Sequence, residues 1–597
     1  VYLHLREYQQ AIDFHQASLE IGKEIGDREG EAASLSGLGI AYDRLEQYQQ
    51  AIEFHQASLA VNRELGNRQG EAISIGSLGN VYLHLGEYQQ AIDFYQQQLV
   101  IAKAIGDRQS EAISLANLGI SYRNTGRILL AENSVSASIA IFENLRSAEL
   151  LDQNRISFFE SQVAAYKNLE LILVLQDKFE TALETAERGR TRSFMQLLSE
   201  RFSGADRQDW AQSPNFSEIQ RIAKEQQSTI VEYSVSRNTS GEGSSLYIWV
   251  VQPTGKLYFK EVAIGESLEA ISELVEQSRM AMDVRGRGGI VPLDAVSEEN
   301  DATDQLNQLH QLLIEPIADW LPDDPMQRVV FIPQGDLFLV PFQALKDESD
   351  TYLIERHTVL TAPSIQTLDL TRRRSTTIAD RSYDTENILT VGNPVMPEVW
   401  SPDSDAFTQL PSLAGAEQEA KAIANFFGTE ALIGDEATEQ AVKQQIENAR
   451  IVHLATHGLL EYGIPENSGV RDVPGAIALT PTETEDGLLT ATEIIDELDL
   501  QADLVVLSAC DTGLGRVTGD GVIGLSRSLI AAGAPSVIVS LWSIPDAPTA
   551  ELMVEFYRQR QQGKDKAQAL RQAMLITMET HPNPRDWAAF TLIGEAN

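Results

Sequence analysis

Hydrophobic and polar positions along the first part of the chain recur with a period of 40 residues. The residues that stand in register include Tyr8/Tyr48/Tyr88, Ala11/Ala51/Ala91, Phe14/Phe54/Phe94 and Gly26/Gly66/Gly106. Apolar side chains within each unit follow a three- and four-residue spacing, which predicts two amphipathic helices per unit. In the first unit we expect helices over residues 8–25 and 30–45, with Gly26 in the left-handed position that ends the first one.

Units of this kind cannot bury their apolar faces alone, so they stack side by side into a solenoid. The pattern resembles the tetratricopeptide repeat (TPR) in a 40-residue form. The resemblance implies a surface that binds a regulatory protein partner, and a purely structural stack is the alternative. The register decays after about residue 128, and helices expected over 158–175 and 177–198 are interpreted as a divergent or capping repeat. We assign residues 1–200 to this domain.

The pattern changes near residues 201–216, where Ser, Gly, Asp and Pro cluster as in a linker. Beyond it, periods of 2 and 3.6 residues alternate. We expect strands over residues 229–235, 246–251, 329–332, 388–391, 451–455, 504–508 and 536–541, and helices over 414–427, 439–448, 522–532 and 550–562. This alternation predicts an α/β fold with a mainly parallel sheet flanked by helices. In such sheets the chemistry collects at the carboxyl ends of the strands.

Two of the predicted strands end in residues that could carry chemistry. The strand at 451–455 leads to His457 and Gly458, and the strand at 504–508 leads to Cys510, the only cysteine. A thiol with a pKa near 8.5 is mostly protonated at neutral pH, and a neighbouring imidazole can take its proton. Glycine after the histidine lets a backbone N–H approach a substrate carbonyl, where with the Cys510 amide it could hold an oxyanion. The sequence therefore predicts a Cys–His pair.

Several segments resemble the CHAT family, caspase-like domains associated with tetratricopeptide repeats and related to separase and caspases (clan CD). The matching segments are His453–Gly458, Leu507–Gly513, Ala186–Arg190, Ile332–Leu337, Val391–Pro394, Leu432–Thr438 and Trp587–Phe590. The resemblance implies a cysteine endopeptidase that cleaves a specific protein substrate, with Cys510 as nucleophile, His457 as base and an oxyanion amide at Gly458. Some family members act in bacterial signalling or defence, where a repeat arm senses the trigger.

The same resemblance implies a division of the CHAT region and two further substrate contacts. We expect residues 217–384 to form an inactive, pseudo-caspase half and residues 385–597 to form the catalytic half. An acidic residue at Asp511 would favour a basic P1 residue, or it could cap the next turn. Trp542 stands where caspase-like folds line the substrate groove, and core packing is the alternative.

Three other interpretations compete with a peptidase. The first is a non-catalytic TPR scaffold with a pseudo-peptidase domain, and the second is a nucleotide-driven signalling switch. The glycine-rich stretch after Cys510 lacks the Gly-Lys-Ser/Thr ending of a phosphate loop, which disfavours the switch. The third is a zinc site at His453 and His457, but this run is predicted as a strand and Leu454 stands where the zinc motif needs glutamate.

Composition and charge limit the number of domains, the partners and the cellular compartment that we expect. The 597-residue chain is too long for one core, and its net charge of −41 disfavours direct contact with nucleic acid or anionic membranes. One cysteine excludes an internal disulfide, and no stretch reaches the roughly 20 apolar residues of a spanning helix. We therefore expect a cytoplasmic protein without metal or organic cofactor. Because the chain starts at Val1 inside a repeat, without a leader, we expect its natural N-terminus upstream.

Overall fold

The computed structural model describes residues 8–145, 155–201, 213–237, 243–265, 269–282, 299–379, 387–401, 406–459, 475–508, 516–518, 521–542 and 546–597. The chain divides into two compact units, Val1–Gly189 and Arg190–Asn597. The predicted boundary at residues 200 and 201 and the predicted linker at 201–216 stay predictions, since most of that linker lies outside the described residues.

Paired antiparallel helices build the first unit, as the 40-residue period predicts. They are α1 (Tyr8–Ile25), α2 (Arg28–Arg44), α3 (Tyr48–Leu65), α4 (Arg68–His84), α5 (Tyr88–Ile105), α6 (Arg108–Asn124), α7 (Ile128–Leu145), α8 (Arg155–Val174) and α9 (Phe179–Arg201). The boundary between the two units falls within α9. The helix α7 packs on α6 as α5 packs on α4, so the repeat continues beyond the point where its sequence register decays.

Each turn between the two helices of a repeat uses the same local chemistry. Gly26, Gly66 and Gly106 take positive φ angles of 74°, 68° and 75°, which glycine adopts without steric cost. The next residue then caps the following helix, and the Asp27 carboxylate accepts from the Gly30 N–H at 2.9 Å. Between repeats, tyrosine stacks on phenylalanine at 5.3 Å (Tyr42 and Phe54) and 5.2 Å (Tyr82 and Phe94).

The second unit is built on an 11-stranded sheet in the order β3-β2-β1-β4-β5-β18-β17-β14-β10-β6-β9. Its strands are β1 (Ser228–Arg237), β2 (Ser244–Val251), β3 (Leu257–Ala263), β4 (Arg328–Ile332), β5 (Thr358–Thr361), β6 (Ile388–Pro394), β9 (Leu432–Gly434), β10 (Ile451–Ala455), β14 (Leu504–Ser508), β17 (Ser536–Ser540) and β18 (Phe590–Gly594). Smaller pairings involve β7 (Glu398–Ser401) with β8 (Ala406–Gln409), β11 (Gly458–Leu459) with β12 (Ala476–Ala478), β12 with β13 (Leu488–Thr490), and β15 (Arg516–Thr518) with β16 (Gly521–Ile523). Neighbours in the large sheet are parallel except at β1–β2, β2–β3 and β17–β18, which confirms the mainly parallel α/β prediction.

Helices cover this sheet. They are α10 (Phe216–Gln226), α11 (Glu269–Ala281), α12 (Glu299–Leu313), α13 (Leu353–Arg356), α14 (Ile365–Ala379), α15 (Ala414–Phe427), α16 (Glu439–Ile446), α17 (Ala491–Glu497), α18 (Leu525–Ala531), α19 (Asp546–Gln561), α20 (Lys566–Thr580) and α21 (Pro584–Trp587), with 3-10 turns at Glu315–Trp320, Gly335–Leu339 and Phe342–Ala344. A core of buried apolar residues lies between the central strands and α16, α17 and α18. This core fixes the two strands on which the predicted site depends.

The last strand joins the two parts of the CHAT region. β18 pairs in parallel with β5 of residues 217–384 and antiparallel with β17 of residues 385–597. The two predicted halves therefore share one sheet, and the inactivity of the first half stays a prediction. The expected helix at 522–532 was wrong at its start, because residues 521–523 form β16 and the helix begins at Leu525. Among the described residues, no helix combines the length and the apolar character that crossing a membrane requires.

Candidate active site at the ends of two parallel strands

The predicted catalytic residues follow two neighbouring parallel strands. β10 lies between β6 and β14, and the last residues of β10 and β14, Ala455 and Ser508, are directly paired. His457 and Cys510 each stand two positions beyond this pair in the sequence. Cys510 and Asp511 lie outside the described residues. The position of the proposed nucleophile is therefore inferred from the register of β10 and β14.

The His457 ring is partly exposed and is held by a backbone carbonyl. Its Nε2 lies 2.8 Å from the carbonyl oxygen of Pro411, in the segment between β8 and α15. A carbonyl oxygen only accepts hydrogen bonds, so Nε2 carries a hydrogen, and in the neutral ring the lone pair is on Nδ1. The backbone carbonyl of His457 accepts from the Ala478 N–H at 2.9 Å, which fixes the main chain under the ring. This arrangement leaves Nδ1 as the nitrogen able to take a proton.

Gly458 begins the short strand β11, paired with β12. Gly458 is opposite Ile477, and Leu459 is opposite Ala476. Antiparallel ladders alternate between hydrogen-bonded and non-hydrogen-bonded pairs. Because Ala478 N–H donates to the carbonyl of the residue before Gly458, the Gly458 pair is of the non-hydrogen-bonded kind. Its N–H therefore points away from β12, as an oxyanion amide would need.

A buried polar network underlies the same two strands. His453 of β10 is fully buried, with Nε2 3.0 Å from Oε1 of Glu419 on α15 and Nδ1 3.1 Å from the hydroxyl of Tyr557 on α19. The other Glu419 oxygen accepts from the Ser508 hydroxyl at 3.0 Å. Burial raises the pKa of Tyr557 well above its ordinary value, and the Glu419 carboxylate adds to the shift, so its hydroxyl keeps its hydrogen. The network connects α15 to both strands, and within it His453 has a structural role.

Trp542 follows β17 and is buried. The side chain is 1% exposed, and its indole N–H donates to the carbonyl oxygen of Arg585 at 2.9 Å. Just before it, the Leu541 carbonyl accepts from the buried guanidinium of Arg279 on α11 at 2.9 Å. Contact between this indole and a substrate would require it to become accessible, and a substrate-binding role for Trp542 stays a prediction.

One acidic cluster has the spacing of a metal site. Within the described residues, Glu439, Glu485 and Glu493 bring carboxylate oxygens within 4.8 Å of one another. The Lys443 ammonium, however, lies 2.8 Å from Glu439 and 3.0 Å from Glu493. Burial raises the pKa of Glu439 to about 6. Burial alone would lower the pKa of Lys443, but the hydrogen bonds that its ammonium donates to Glu439, Glu493 and Glu497 outweigh burial and raise that pKa. The Lys443 ammonium already balances negative charge in this acidic cluster, so we assign no metal to these three glutamates.

The fold and the site residues together define the class: a helical repeat array followed by an α/β domain with a strand-end His and Cys. Residues 303–595 match the family model of the CHAT domain, and residues 1–64 and 71–144 match a tetratricopeptide-repeat model. The chain belongs to the proteins that combine tetratricopeptide repeats with a CHAT domain. The predicted membership in the CHAT family, with its tetratricopeptide repeats, is confirmed.

The individual proteins and structures that the chain resembles have low sequence identity to it. The chain is 26% identical over 600 residues to tetratricopeptide repeat protein 28 of Homo sapiens, covering 79% of this chain and 24% of that protein, and it matches the Mus musculus protein to the same extent over 601 residues. The chain thus spans about a quarter of the length of these curated relatives. A crystal structure of the Saccharomyces cerevisiae separase–securin complex is 11% identical, with a TM-score of 0.45, and the match covers 98% of this chain and 47% of that chain.

Two features of the site were not predicted from the sequence. The Pro411 carbonyl that holds His457 is a backbone group, which every residue type offers equally. Glu419 and Tyr557 are far from the two strands in the chain, and an amphipathic helix pattern does not distinguish a buried glutamate from an exposed one. The one cue was the polar pair His453 and Ser508 inside otherwise apolar strands, since buried polar groups require partners.

Proposed function

We propose that the chain is a cysteine endopeptidase that hydrolyses peptide bonds in a specific protein substrate. Cys510 is the nucleophile and His457 is the base, with the Gly458 and Cys510 amides as oxyanion donors. The observation that carries the proposal is the pairing of Ala455 with Ser508, since each proposed catalytic side chain follows that pair by two residues. Adjacent parallel strands lie about 4.8 Å apart, a separation from which an imidazole and a thiol can reach one another.

The chemistry follows from these groups. The Cys510 thiol gives its proton to Nδ1 of His457, and the thiolate attacks the scissile carbonyl, forming a C–S bond. The negative charge that develops on the carbonyl oxygen is held by backbone N–H groups. His457 then protonates the leaving amine as the C–N bond breaks, which leaves a thioester. Water attacks the thioester carbonyl and gives a proton to His457. The C–S bond then breaks, the carboxylic acid product leaves, and the sulfur takes that proton from His457 to re-form the thiol.

Specificity and recruitment extend the proposal. An aspartate next to the nucleophile would favour a basic P1 residue, so we assign Asp511 to substrate recognition. Trp542, after the neighbouring strand β17, would line the substrate groove once its indole becomes accessible. The repeat unit would recruit or sense a regulatory protein, because stacked helical repeats present extended surfaces to protein partners. By the resemblance, residues 217–384 would support the catalytic half without catalysis of their own.

The single cysteine makes the first test specific, because any alkylated cysteine is Cys510. A substrate-like electrophile should label the wild type at least tenfold faster at pH 7 than His457→Ala, since the imidazole raises the thiolate fraction. His581→Ala is the matched control, because His581 is also partly exposed and lies 3.3 Å from an acidic side chain, Glu551. It should label at the wild-type rate. Equal, slow labelling of all three proteins would instead favour a non-catalytic scaffold.

The substrate requires a second experiment. New protein N-termini would be compared in cells that carry the wild type or Cys510→Ala. Cleavage products found with the wild type alone would identify the substrate and the P1 residue together. Basic P1 residues that become less preferred in Asp511→Asn would support the role of Asp511, and an unchanged preference would refute it.

A further inference from the structure

The side chain of Asn393 anchors the segment that holds His457. Asn393 is the last residue but one of the strand β6 and has a φ of 44°, in the left-handed region that asparagine tolerates better than most residues. Its Oδ1 accepts from the Leu413 N–H at 2.7 Å and from the Ser412 hydroxyl at 3.0 Å. Its Nδ2 donates to Glu417 at 3.3 Å. One side chain thus fixes the two residues that follow Pro411.

Pro411 is held on its other side as well. The N–H of Leu410 donates to the carbonyl oxygen of Pro397 at 3.1 Å. Between these anchors the Pro411 carbonyl has little freedom. The proline ring fixes φ at that residue, and the hydrogen bonds that the next two residues donate to Asn393 restrain ψ, which sets the direction of the carbonyl. The carbonyl oxygen that receives His457 Nε2–H at 2.8 Å is therefore positioned by Leu410 on one side and by Asn393 on the other.

We propose that Asn393 is a positioning residue for His457: it holds the Pro411 carbonyl that accepts from Nε2–H, so that Nδ1 is the nitrogen available as the base in the proposed reaction. This inference rests on the proposed peptidase function. Without the Asn393 side chain, the Ser412 and Leu413 donors lose their acceptor and the segment can shift. A base whose orienting acceptor is displaced by about 1 Å loses much of its effect, on the order of tenfold to a hundredfold in rate.

The test measures the rate at which iodoacetamide alkylates the single thiol as a function of pH in the full chain. In the wild type, the imidazole sustains thiolate reactivity well below pH 8.5. In His457→Ala, the rate should rise only near the ordinary thiol pKa of about 8.5. Asn393→Gly removes the side chain without straining a φ of 44°. We expect it to be roughly tenfold slower than the wild type at pH 7, with its profile displaced toward that of His457→Ala.

Three further variants bracket this result. Asn393→Asp combined with Glu417→Gln keeps the acceptor oxygen and removes the like charge beside it, so it should restore the rate to within about threefold of the wild type. Ser412→Ala removes one of the two donors to Oδ1 and should shift the profile in the same direction by about two- to threefold. Asp350→Gly is the matched control, because Asp350 also takes a positive φ, of 66°, in an exposed turn. It should leave the profile unchanged.

The outcomes separate this inference from the function on which it rests. If His457→Ala displaces the profile and Asn393→Gly coincides with the wild type, Asn393 does not position the base and the peptidase proposal stands. If His457→Ala itself coincides with the wild type, both proposals fall. Should Asn393→Gly not fold, Ser412→Ala decides, and a profile identical to the wild type counts against the inference.

Discussion

Replacing His453 by leucine breaks the buried polar network beneath the two site strands. Leucine removes the donor to Glu419 and the partner of the Tyr557 hydroxyl, both of which lie away from solvent. Loss of a hydrogen bond to a charged group costs about 1.5–3 kcal/mol, and an orphaned buried hydroxyl costs about 1–3 kcal/mol. We therefore expect His453→Leu to lower the free energy of unfolding of the second unit by about 3–5 kcal/mol, the cost typical of a buried charge that loses one partner.

Removing the carboxylate as well should recover part of this loss. In the double variant His453→Leu/Glu419→Leu, two apolar side chains replace the buried pair, an exchange that is often neutral or stabilising. The hydroxyls of Ser508 and Tyr557 then remain unpaired, at about 1–3 kcal/mol each. The double variant should therefore be no less stable than His453→Leu alone. A favourable coupling of about 2 kcal/mol or more between the two residues would measure their interaction in the folded state.

The assay is urea unfolding followed by tryptophan fluorescence. All six tryptophans lie between residues 210 and 587, so the signal reports on the chain beyond the repeats. His581→Leu is the control, because its partly exposed ion pair with Glu551 should contribute less than about 1 kcal/mol. Two results would refute the reasoning. One is a His453→Leu protein within about 1 kcal/mol of this control, and the other is a double variant at least as unstable as the sum of the two single variants.

Two other predictions concern the packing and the charge around the same sheet. A Cβ at Gly392 would lie against the Ala420 side chain of α15, so Gly392→Ala should destabilise the protein by about 2 kcal/mol in the same assay. Gly428→Ala is the control: it lies at a helix end with a φ of 71° and open space around it, and it should cost about 1 kcal/mol. Equal costs for the two variants would argue against a steric clash at Gly392. Because burial raises the pKa of Glu439 to about 6, the folded state holds a proton that the unfolded state loses near pH 4.5, so this group's contribution to stability falls as pH rises through that window. Between pH 4.5 and pH 7 the wild type should therefore lose stability relative to Glu439→Gln, which has no carboxyl to titrate. A difference in stability that stays constant over this range would show that Lys443 keeps the carboxyl at its ordinary pKa.

The sequence predicted the elements that bury a continuous apolar face. β10 and β14 have the predicted bounds, because five-residue runs with four apolar positions are recognisable as buried strands. α15 likewise has its predicted bounds, which a left-handed Gly428 closes. The start of α18 was mispredicted because Val522 and Ile523 continue the apolar spacing of the helix. The glycines at 521 and 524 instead favour a hairpin and a break.

The position of the last strand could not be predicted from local pattern. β18 is separated by more than 200 residues from β5 and yet pairs with it, while its other neighbour β17 is close in the chain. Local periodicity identifies a strand but carries no information on which strands become its neighbours. The joining of the two parts of the CHAT region in one sheet is thus a property of the tertiary structure.

The same distinction explains which parts of the candidate site the sequence revealed. His457 and Cys510 were predictable because their chemistry depends on side-chain identity, and each follows a strand that its own residues specify. What orients His457 is a backbone carbonyl at Pro411, and what fixes that carbonyl is an amide side chain at Asn393, which the sequence presents only as part of a family motif. A base is effective only when its proton-accepting nitrogen faces the thiol, so reactivity at this strand edge depends on a segment that carries no reactive group. Substitutions in residues 393 and 410–413 should therefore affect the proposed chemistry more than their exposure suggests.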